Sequence, residues 1–392
     1  MRYLLTVACF GLVAATQARA ASLTDWNISP ASAELGDWTA TLGGSLSGAA
    51  YDATQADVSD RIGVTGTFLL APRAKIELDN GWELGFHSTI LAYHDELSGD
   101  AYGDRVVEKA YASLQTQYGR VEAGRQDGAA TAMSMTGPKV DDAVAIDDGT
   151  ETFFREPTTG NAFVKIFPLW TDEFASANFA KLSYYSPRLF GVQFGASYAP
   201  AQAGGGPALM PQGQNVADRQ SNLFESAVNY MEDFGPASVG FYAGAVAGES
   251  AHTTSGHAGL LDWAVGGEID YDFGDVKLAG GGGYRQSNAY AFAIDDAFRE
   301  GNTHSARLGV TITSGPWIGG LEYSTGGADA EATLPALHRI GYEPSIAYVV
   351  NSNLQLTLGW QFPRFTRSEG DFYSGAAAIR MQAAFLHVAF QI

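Results

Sequence analysis

The sequence has 392 residues, with 43 aspartates and glutamates against 23 lysines and arginines, and its formal net charge is −20. This balance excludes a nucleic-acid-binding protein, because such proteins rely on clustered basic residues. The 47 glycines and the 12% of aromatic residues are not typical of a soluble α/β enzyme. They favour a barrel, in which glycine permits close backbone approach and aromatic residues form girdles.

The first twenty residues have the features of an export signal. Arg2 supplies a positive start, residues 3–16 form a short apolar run, and Ala18-Arg19-Ala20 matches an Ala-x-Ala cleavage pattern. The apolar run is shorter than the ~20 residues that a membrane-spanning helix needs. We therefore expect residues 1–20 to be a signal peptide. The single cysteine, Cys9, lies within it, so we expect no disulfide bond.

Beyond residue 37, apolar and polar residues alternate in one segment after another. A period of two is typical of a β-strand that has one apolar and one polar face. At 259–273, for example, Leu261, Trp263 and Val265 fall on one face and Asp262 falls on the other. We read sixteen such strands. They lie at about 38–51, 61–79, 81–96, 104–118, 119–127, 175–186, 190–199, 219–232, 236–248, 259–273, 275–288, 303–314, 316–325, 338–350, 353–366 and 377–392.

Very short turns and long polar loops alternate between these strands. The turn Asp79-Asn80-Gly81 is a hairpin signal, because Asn and Gly tolerate the positive φ angles of tight turns. An even number of long two-faced strands joined in this way predicts an all-β fold, a transmembrane antiparallel β-barrel. The alternative is a soluble periplasmic β-protein, which would leave a surplus of apolar surface exposed to water.

The last ten residues, 383–392, predict how the barrel closes. Leu386, Val388 and Phe390 share an apolar face, and His387 lies on the other face, which we expect to be in contact with water. Pairing of this strand with both the first and the fifteenth strand would remove the unpaired sheet edge. Lipid cannot satisfy the hydrogen-bonding groups of such an edge.

Three stretches resemble the general porins of Gram-negative outer membranes, particularly those of the alphaproteobacterial type. YGRVEAGRQD at 118–127 is similar to the turn and the Gly-Arg-Gln sequence that lead porin strands into an internal loop. KLSYYSPRLFGVQFGASYAP at 181–200 resembles the family's Tyr-Tyr-Ser-Pro hairpin, and the alternating last strand is the third likeness. One departure is Ile392, where these chains usually have an aromatic residue; here Phe390 lies two positions earlier.

This resemblance implies a water-filled channel of about sixteen strands, normally a homotrimer, that passes small hydrophilic solutes. Its other partners would be the lipid bilayer and lipopolysaccharide. Residues 37–392 would form the porin barrel, preceded by an N-terminal extension at 21–36. The family's third external loop folds inward to narrow the pore, and residues 128–174 form the longest interruption between our predicted strands. No cofactor is implied.

The family places carboxylates of this constriction loop opposite basic residues of the barrel wall. The candidate acids are Asp141, Asp142, Asp147, Asp148 and Glu151. The candidate basic residues are Arg61, Arg73 and Lys75 on the second strand, Arg105 and Lys109 on the fourth, and Arg125, whose direction strand parity leaves ambiguous. On the lipid face, a basic residue near the membrane midplane would cost about 2–4 kcal/mol. The alternative for the acids is a solvated surface loop.

Opposed rows of charge would create a transverse field that favours polar solutes, and the excess of acids predicts a cation-leaning channel. A channel specific for sugars or phosphate is an alternative, but no continuous aromatic track or dominant lysine cluster is readable. An outer-membrane barrel enzyme is another, and it would need a histidine beside a nucleophile or an acid. The seven histidines are scattered, and neither Gly-x-Ser-x-Gly nor His-Glu-x-x-His occurs. We therefore expect a channel without catalysis.

Overall fold

The structure is a computed structural model that describes residues 29–55, 58–94, 107–147, 150–155, 162–164, 174, 179–201, 220–252, 256–288, 291–292, 298–299, 302–329, 336–368 and 378–392. The expected signal peptide lies outside these ranges. Within them the chain is mostly β-strand, with one short helix, α1 (Ala129–Ala132), and a 3-10 turn at Asp142–Val144. No helix in the described ranges is long and apolar enough to cross a bilayer.

The described ranges contain 22 strands. In chain order they are β1 (Ala31–Leu35), β2 (Trp38–Gln55), β3 (Val58–Glu77), β4 (Glu83–His94), β5 (Val107–Thr116), β6 (Gly119–Gln126), β7 (Thr150–Arg155), β8 (Ala162–Val164), β9 (Phe179–Tyr185), β10 (Val192–Ala201), β11 (Gln220–Phe234), β12 (Ala237–His252), β13 (Gly256–Asp272), β14 (Val276–Ser287), β15 (Ala291–Phe292), β16 (Phe298–Arg299), β17 (Thr303–Ser314), β18 (Trp317–Ala328), β19 (Leu337–Asn351), β20 (Leu354–Gln361), β21 (Arg364–Arg367) and β22 (Ala378–Gln391). β7 pairs with β8 and β15 with β16 in two small separate hairpins.

The remaining 18 strands form one closed antiparallel sheet. From β2 to β22, each strand pairs with the next one along the chain, and β22 pairs back onto β2 from Ser45↔Gln391 to Gln55↔Met381. β20 and β21 occupy a single strand position between β19 and β22, interrupted at Pro363. β1 likewise extends the line of β22 along β2, so the barrel has sixteen strand positions. The predicted sixteen-stranded antiparallel barrel is confirmed.

The two ends of the barrel sheet meet in one strand position. The backbone of Ile392 exchanges two hydrogen bonds of 2.9 Å with Gly44, and Ala31 pairs two residues further along β2, with Leu42. The last strand therefore closes the barrel, as its pattern predicted. β1 falls inside the segment 21–36 that we expected to be an extension, and the structure places these five residues in the barrel sheet.

The connections differ between the two ends of the barrel. At one end, which we call the short-turn end, all connections are tight; Gly81, Gly235 and Gly274 have φ of 76°, 67° and 91°, which glycine adopts without strain. The predicted turn is present, with the Trp82 amide donating to Asn80 Oδ1 at 3.1 Å. The opposite end carries the longest connections. There β2 and β3 run past their predicted ends, because their pairing continues through Ala53↔Arg61.

The two faces of the wall have opposite polarity. On β17, Leu308 and Val310 point outward and are each 58% exposed. Arg307, which directly precedes Leu308, points inward and is fully buried. On β13, Leu261 and Ile269 are exposed on the outside and Asp262 is buried on the inside. A soluble protein would bury such an apolar outer band, so this surface is suited to lipid.

Candidate functional site

Residues 128–147, which we call the inner segment, fold into the barrel and follow its inner wall. The segment begins against β10 to β12. The Ala129 amide donates to Ser197 Oγ at 2.8 Å, and the Ala130 amide donates to Glu225 Oε2 at 3.1 Å. Tyr242 donates its hydroxyl to the carbonyl of Ala130. These side chains point inward because they share the parity opposite to the exposed outer residues of their strands.

Arg307 of β17 holds the middle of the inner segment. Its guanidinium donates to the carbonyl oxygens of Thr136, Gly137 and Pro138 at 2.9, 2.8 and 2.7 Å. It also donates to Glu322 Oε2 at 2.9 Å. Glu322 in turn accepts the amide of Val140 at 3.2 Å. Both charged side chains are fully buried, so their mutual pairing and these bonds offset the cost of burying them.

Asp141 fastens the inner segment to the far side of the wall. Its Oδ2 accepts a hydrogen bond from the Thr357 hydroxyl at 2.6 Å and lies 2.6 Å from Nδ1 of His387. Burial by itself would raise the pKa of Asp141. The hydrogen bond and charge of His387, the Thr357 hydroxyl and the Ala143 amide together lower it below the ordinary 3.8. His387 is therefore inward-facing, as predicted, but covered by the segment rather than open to water.

Further side chains from the wall bind the end of the segment. Gln355 donates to the carbonyl of Val140 at 2.9 Å, and Gln361 donates to that of Val144 at 2.6 Å. Arg339 donates to the carbonyl of Ile146 at 2.7 Å. The contacts run in strand order from β10 at Ala129 to β22 at Asp141, and from Val144 to Asp147 the segment turns back toward β17. One continuous part of the inner wall, from β10 to β22, is therefore covered, and we call it the covered wall.

Inward-facing glycines make room for the segment on the covered wall. Gly281 and Gly309 lie directly under Gly137 and Pro138, and a Cβ at Gly309 would overlap the carbonyl oxygen of Pro138. A Cβ at Gly341 would approach Ile146 Cγ1 to 2.8 Å. Glycine is required here because no other residue lets the two backbones approach so closely.

The inward face of β3 to β6 near the short turns is different, and we call it the open wall. Cross-strand pairing aligns Arg73 with His87 and His87 with Tyr111, and the His87 and Tyr111 rings stack at 4.8 Å. Arg120 forms an ion pair with Glu122 at 2.9 Å. Most of these groups are at least partly exposed to the lumen, where passing solutes can reach them.

The sequence-derived acids occupy several environments. Asp141 and Asp147 are buried against the covered wall; Asp147 forms ion pairs with Lys139 at 3.3 Å and Arg307 at 3.5 Å. Asp142 is exposed. Asp148 lies outside the described residues, and Glu151 lies in β7 with a side chain that is also outside them.

The sequence-derived basic residues are not gathered at one level. Arg73 and Lys75 lie on the open wall, where Lys75 pairs with Glu83 at 2.8 Å. Arg61 is on the same strand, roughly 40 Å away at 3.3 Å per residue. Lys109 pairs with Asp127. Arg105 lies outside the described residues. The register of β6 places Arg125 among the outward-facing residues of this strand, opposite Ala110 and Ala180.

Arg307 and Arg339, which hold the inner segment, were missed by the sequence analysis, although a signal was present. Arg307 and Arg339 each alternate with apolar residues that face outward, so parity alone would have pointed both into the lumen. Among the described residues, no group of three or more His, Cys, Asp and Glu side chains is arranged to hold a metal ion.

A closed barrel with an apolar outer band, a polar interior and an inward-folded segment defines the class of outer-membrane channels. The family model of the Gram-negative porins matches residues 5–389. The chain belongs to this family. No curated protein sequence matches it significantly.

Solved structures share the fold at low sequence identity. An anion-selective porin from Comamonas acidovorans is 18% identical, with 90% of this chain and 100% of that chain covered and a TM-score of 0.53. The outer membrane channel DcaP of Acinetobacter baumannii is 12% identical, with coverages of 91% and 97% and a TM-score of 0.59. The trimer form of OmpT of Vibrio cholerae is 13% identical, with coverages of 91% and 100% and a TM-score of 0.54.

Proposed function

We propose that the protein lets small hydrophilic solutes and ions diffuse passively across the outer membrane, with a weak preference for cations and without catalytic turnover. The observation that carries this proposal is the inner segment, which lies along the covered wall of a polar lumen and leaves the charged open wall facing the lumen. Membership of the Gram-negative porins supports the same function.

The constriction lies between the inner segment and the open wall. Asp142, Asp148 and Glu151 would supply its acidic side, with the buried Asp141 and Asp147 behind them. Arg73 is the main basic residue opposite, and Lys75, Lys109 and Arg61 lie further away on the same inner face of the wall. The exposure of Asp142 and Arg73 supports this arrangement, since a charge must reach water to act on a solute.

The cation preference follows from which basic residues are neutralised. On the covered side, Lys181 pairs with Glu225 at 3.0 Å, and Arg307 pairs with Glu322 at 2.9 Å. Each of these buried pairs is neutral as a whole, so the excess of acids in the formal net charge of −20 lies in the remaining charged residues. An ion in the lumen experiences the local charges most strongly, so the preference should be weak.

A homotrimer in a bilayer with lipopolysaccharide is the proposed assembly. The outward face of β2 and β3 includes two pairs of small residues, Gly48↔Gly66 and Ala40↔Ala74, among larger ones such as Leu46↔Phe68. The outward pairs of β17 and β18 include Leu308↔Tyr323 and Val310↔Leu321. Small residues permit close contact with a second barrel, whereas large apolar residues suit lipid. The trimer form of the similarly folded OmpT also supports this assembly.

Conductance in a planar bilayer tests these proposals. Purified protein should insert as units that conduct in three equal steps, and the reversal potential in a KCl gradient should have the sign of a cation-preferring pore. A silent bilayer would refute the diffusion function. A potential of the opposite sign would refute the cation preference alone, and single steps would refute the trimer.

A further inference from the structure

Beneath the first part of the inner segment, the wall contains a recess of ≈ 380 Å³. Residues 132–135 of the segment form one side of its lining. Arg120 of β6, Tyr185 of β9 and Met231 of β11 line it, together with Arg188 from the β9–β10 turn. These wall residues lie close to the short turns, so the recess belongs to the short-turn end of the lumen. Its volume falls within the range of small-molecule sites.

Arg188 carries a positive charge that no carboxylate neutralises in the described part of the chain. Its guanidinium donates to the carbonyl of Gly191 at 2.7 Å, to Asn229 Oδ1 at 2.9 Å and to Gln193 Oε1 at 3.2 Å. All three acceptors are neutral. Glu232 lies beside Gly191 but forms no ion pair with Arg188. The bonds fix the guanidinium in position, and none of them is to a charged acceptor.

Arg120 adds a second guanidinium to the recess. It lies over the ring of Tyr185, 4.7 Å from the ring centroid, and its Nε pairs with Glu122 at 2.9 Å. The side chain is 45% exposed, so its terminal nitrogens can reach a ligand. Arg120, Arg188 and the Glu122 carboxylate that pairs with Arg120 sum to a charge of about +1 at neutral pH, and Glu232, behind Gly191, lies outside the lining of the recess.

The rest of the lining is apolar and adaptable. Met133 is buried, Met231 is 46% exposed, and Met135 also lines the recess. Thioether side chains are flexible and polarisable, and they pack well against the edges of aromatic rings. The buried ring of Tyr185 adds a further apolar surface. The lining therefore combines an anion-binding side with a side that fits a small apolar body.

We infer that this recess binds small organic monoanions that carry an apolar body, with benzoate as a representative probe. The carboxylate would pair with Arg188 and Arg120, and the ring would contact the methionines. The inference rests on the proposed function, because benzoate must reach the recess through an open lumen. It adds a specific binding site to that function. Chloride and acetate, which lack the ring, would bind more weakly.

The test is block of the KCl current by benzoate. Added on the side of the short turns, benzoate should reduce the current saturably, and acetate at the same concentration should do so about tenfold less effectively. R188Q removes the charge and should raise the half-blocking concentration about tenfold. Because R188Q also loosens the turn, M231E is the second variant; it leaves the bonds of Arg188 intact, repels the anion, and should weaken block similarly.

K277Q is the matched control. Lys277 is an inward cation near the same end of the barrel that pairs with Asp270 at 2.9 Å, outside the recess. Benzoate should block K277Q at the same half-blocking concentration as the parent protein. Absence of saturable block, or equal weakening in K277Q and R188Q, would overturn the inference while leaving the diffusion function intact. If the protein conducts no KCl, the diffusion function fails, and calorimetric titration of benzoate into the purified full chain then decides whether the recess binds it.

Discussion

The covered wall and the open wall use the same kinds of charged side chain in different solvent environments. Arg307 on the covered wall is fully buried and donates to carbonyl groups and Glu322 of the same interior. Arg73 on the open wall is exposed to the lumen. Because Arg307 is buried, it holds the inner segment to the wall, and its removal should lower the stability of the fold. Because Arg73 is exposed, its charge acts on solutes in the lumen. Residue type alone therefore does not define a role in this channel.

The sharpest test of the comparison is to remove one arginine from each wall. R307L should lower the free energy of unfolding by about 3–5 kcal/mol, because it leaves Glu322 and the segment carbonyls without their buried donor. R73L should change it by less than about 0.5 kcal/mol. Urea unfolding of both variants in detergent measures the difference. Equal losses would contradict the division of the wall.

The pH dependence of the inner segment should be the next largest effect. D141N removes the charged acceptor of Thr357 and His387 and should cost about 1.5–3 kcal/mol at pH 6. Because the pKa of Asp141 is lowered in the fold, its contribution is complete above the ordinary 3.8 and is lost only as pH falls through that lower pKa.

Open-channel noise is the measurement for this prediction. The parent channel should remain quiet from pH 6 to about pH 4.5 and become noisy below 3.8, as the attachment weakens. D141N should be noisy at pH 6 and lack this transition. A parent channel that becomes noisy already between pH 6 and pH 4.5 would show that another group controls the attachment.

A third test uses two neighbouring glycines on opposite faces of the barrel. A Cβ at Gly309 overlaps the carbonyl of Pro138, whereas a Cβ at Gly280 meets only Val310 Cγ2 at 4.0 Å. G309A should destabilise the fold by about 1–3 kcal/mol and alter the conductance, because the segment must shift. G280A should do neither. Indistinguishable variants would mean that the segment does not depend on this space.

The smallest expected effect concerns selectivity. R73Q removes an exposed positive charge from the open wall and should move the reversal potential in a KCl gradient toward stronger cation preference, with no measurable change in stability. The shift should shrink at high ionic strength, because salt screens exposed charges. An unchanged reversal potential would place Arg73 outside the selective region.

Much of the barrel followed from the period of two in the sequence. Alternation located the strands and put Asp262 on the polar face, and the structure buries Asp262 inside the barrel. The resemblance to porins supplied the expectation of an inward loop. Parity, however, defines only which side of the wall a residue faces. It contains no information about whether another segment covers that residue.

The loop acids show what strand parity does not predict. Asp141 and Asp142 are neighbours in sequence, yet one is buried on His387 and the other is exposed. Their difference depends on contacts between residues more than 200 positions apart, which no local pattern encodes. The same holds for Arg307, whose partners at Thr136 to Pro138 are some 170 residues away.

The glycines under the inner segment give a way to trace a loop's route without coordinates. Gly266, Gly281, Gly309, Gly320 and Gly341 all have inward parity, and they lie one on each of the five consecutive barrel strands β13, β14, β17, β18 and β19, within two residues of a common level. In an aligned set of strand sequences, such a band of missing side chains would mark the path of the loop before its own conformation is known. The positions of the inward-facing glycines in the wall strands therefore indicate where the loop lies against the wall.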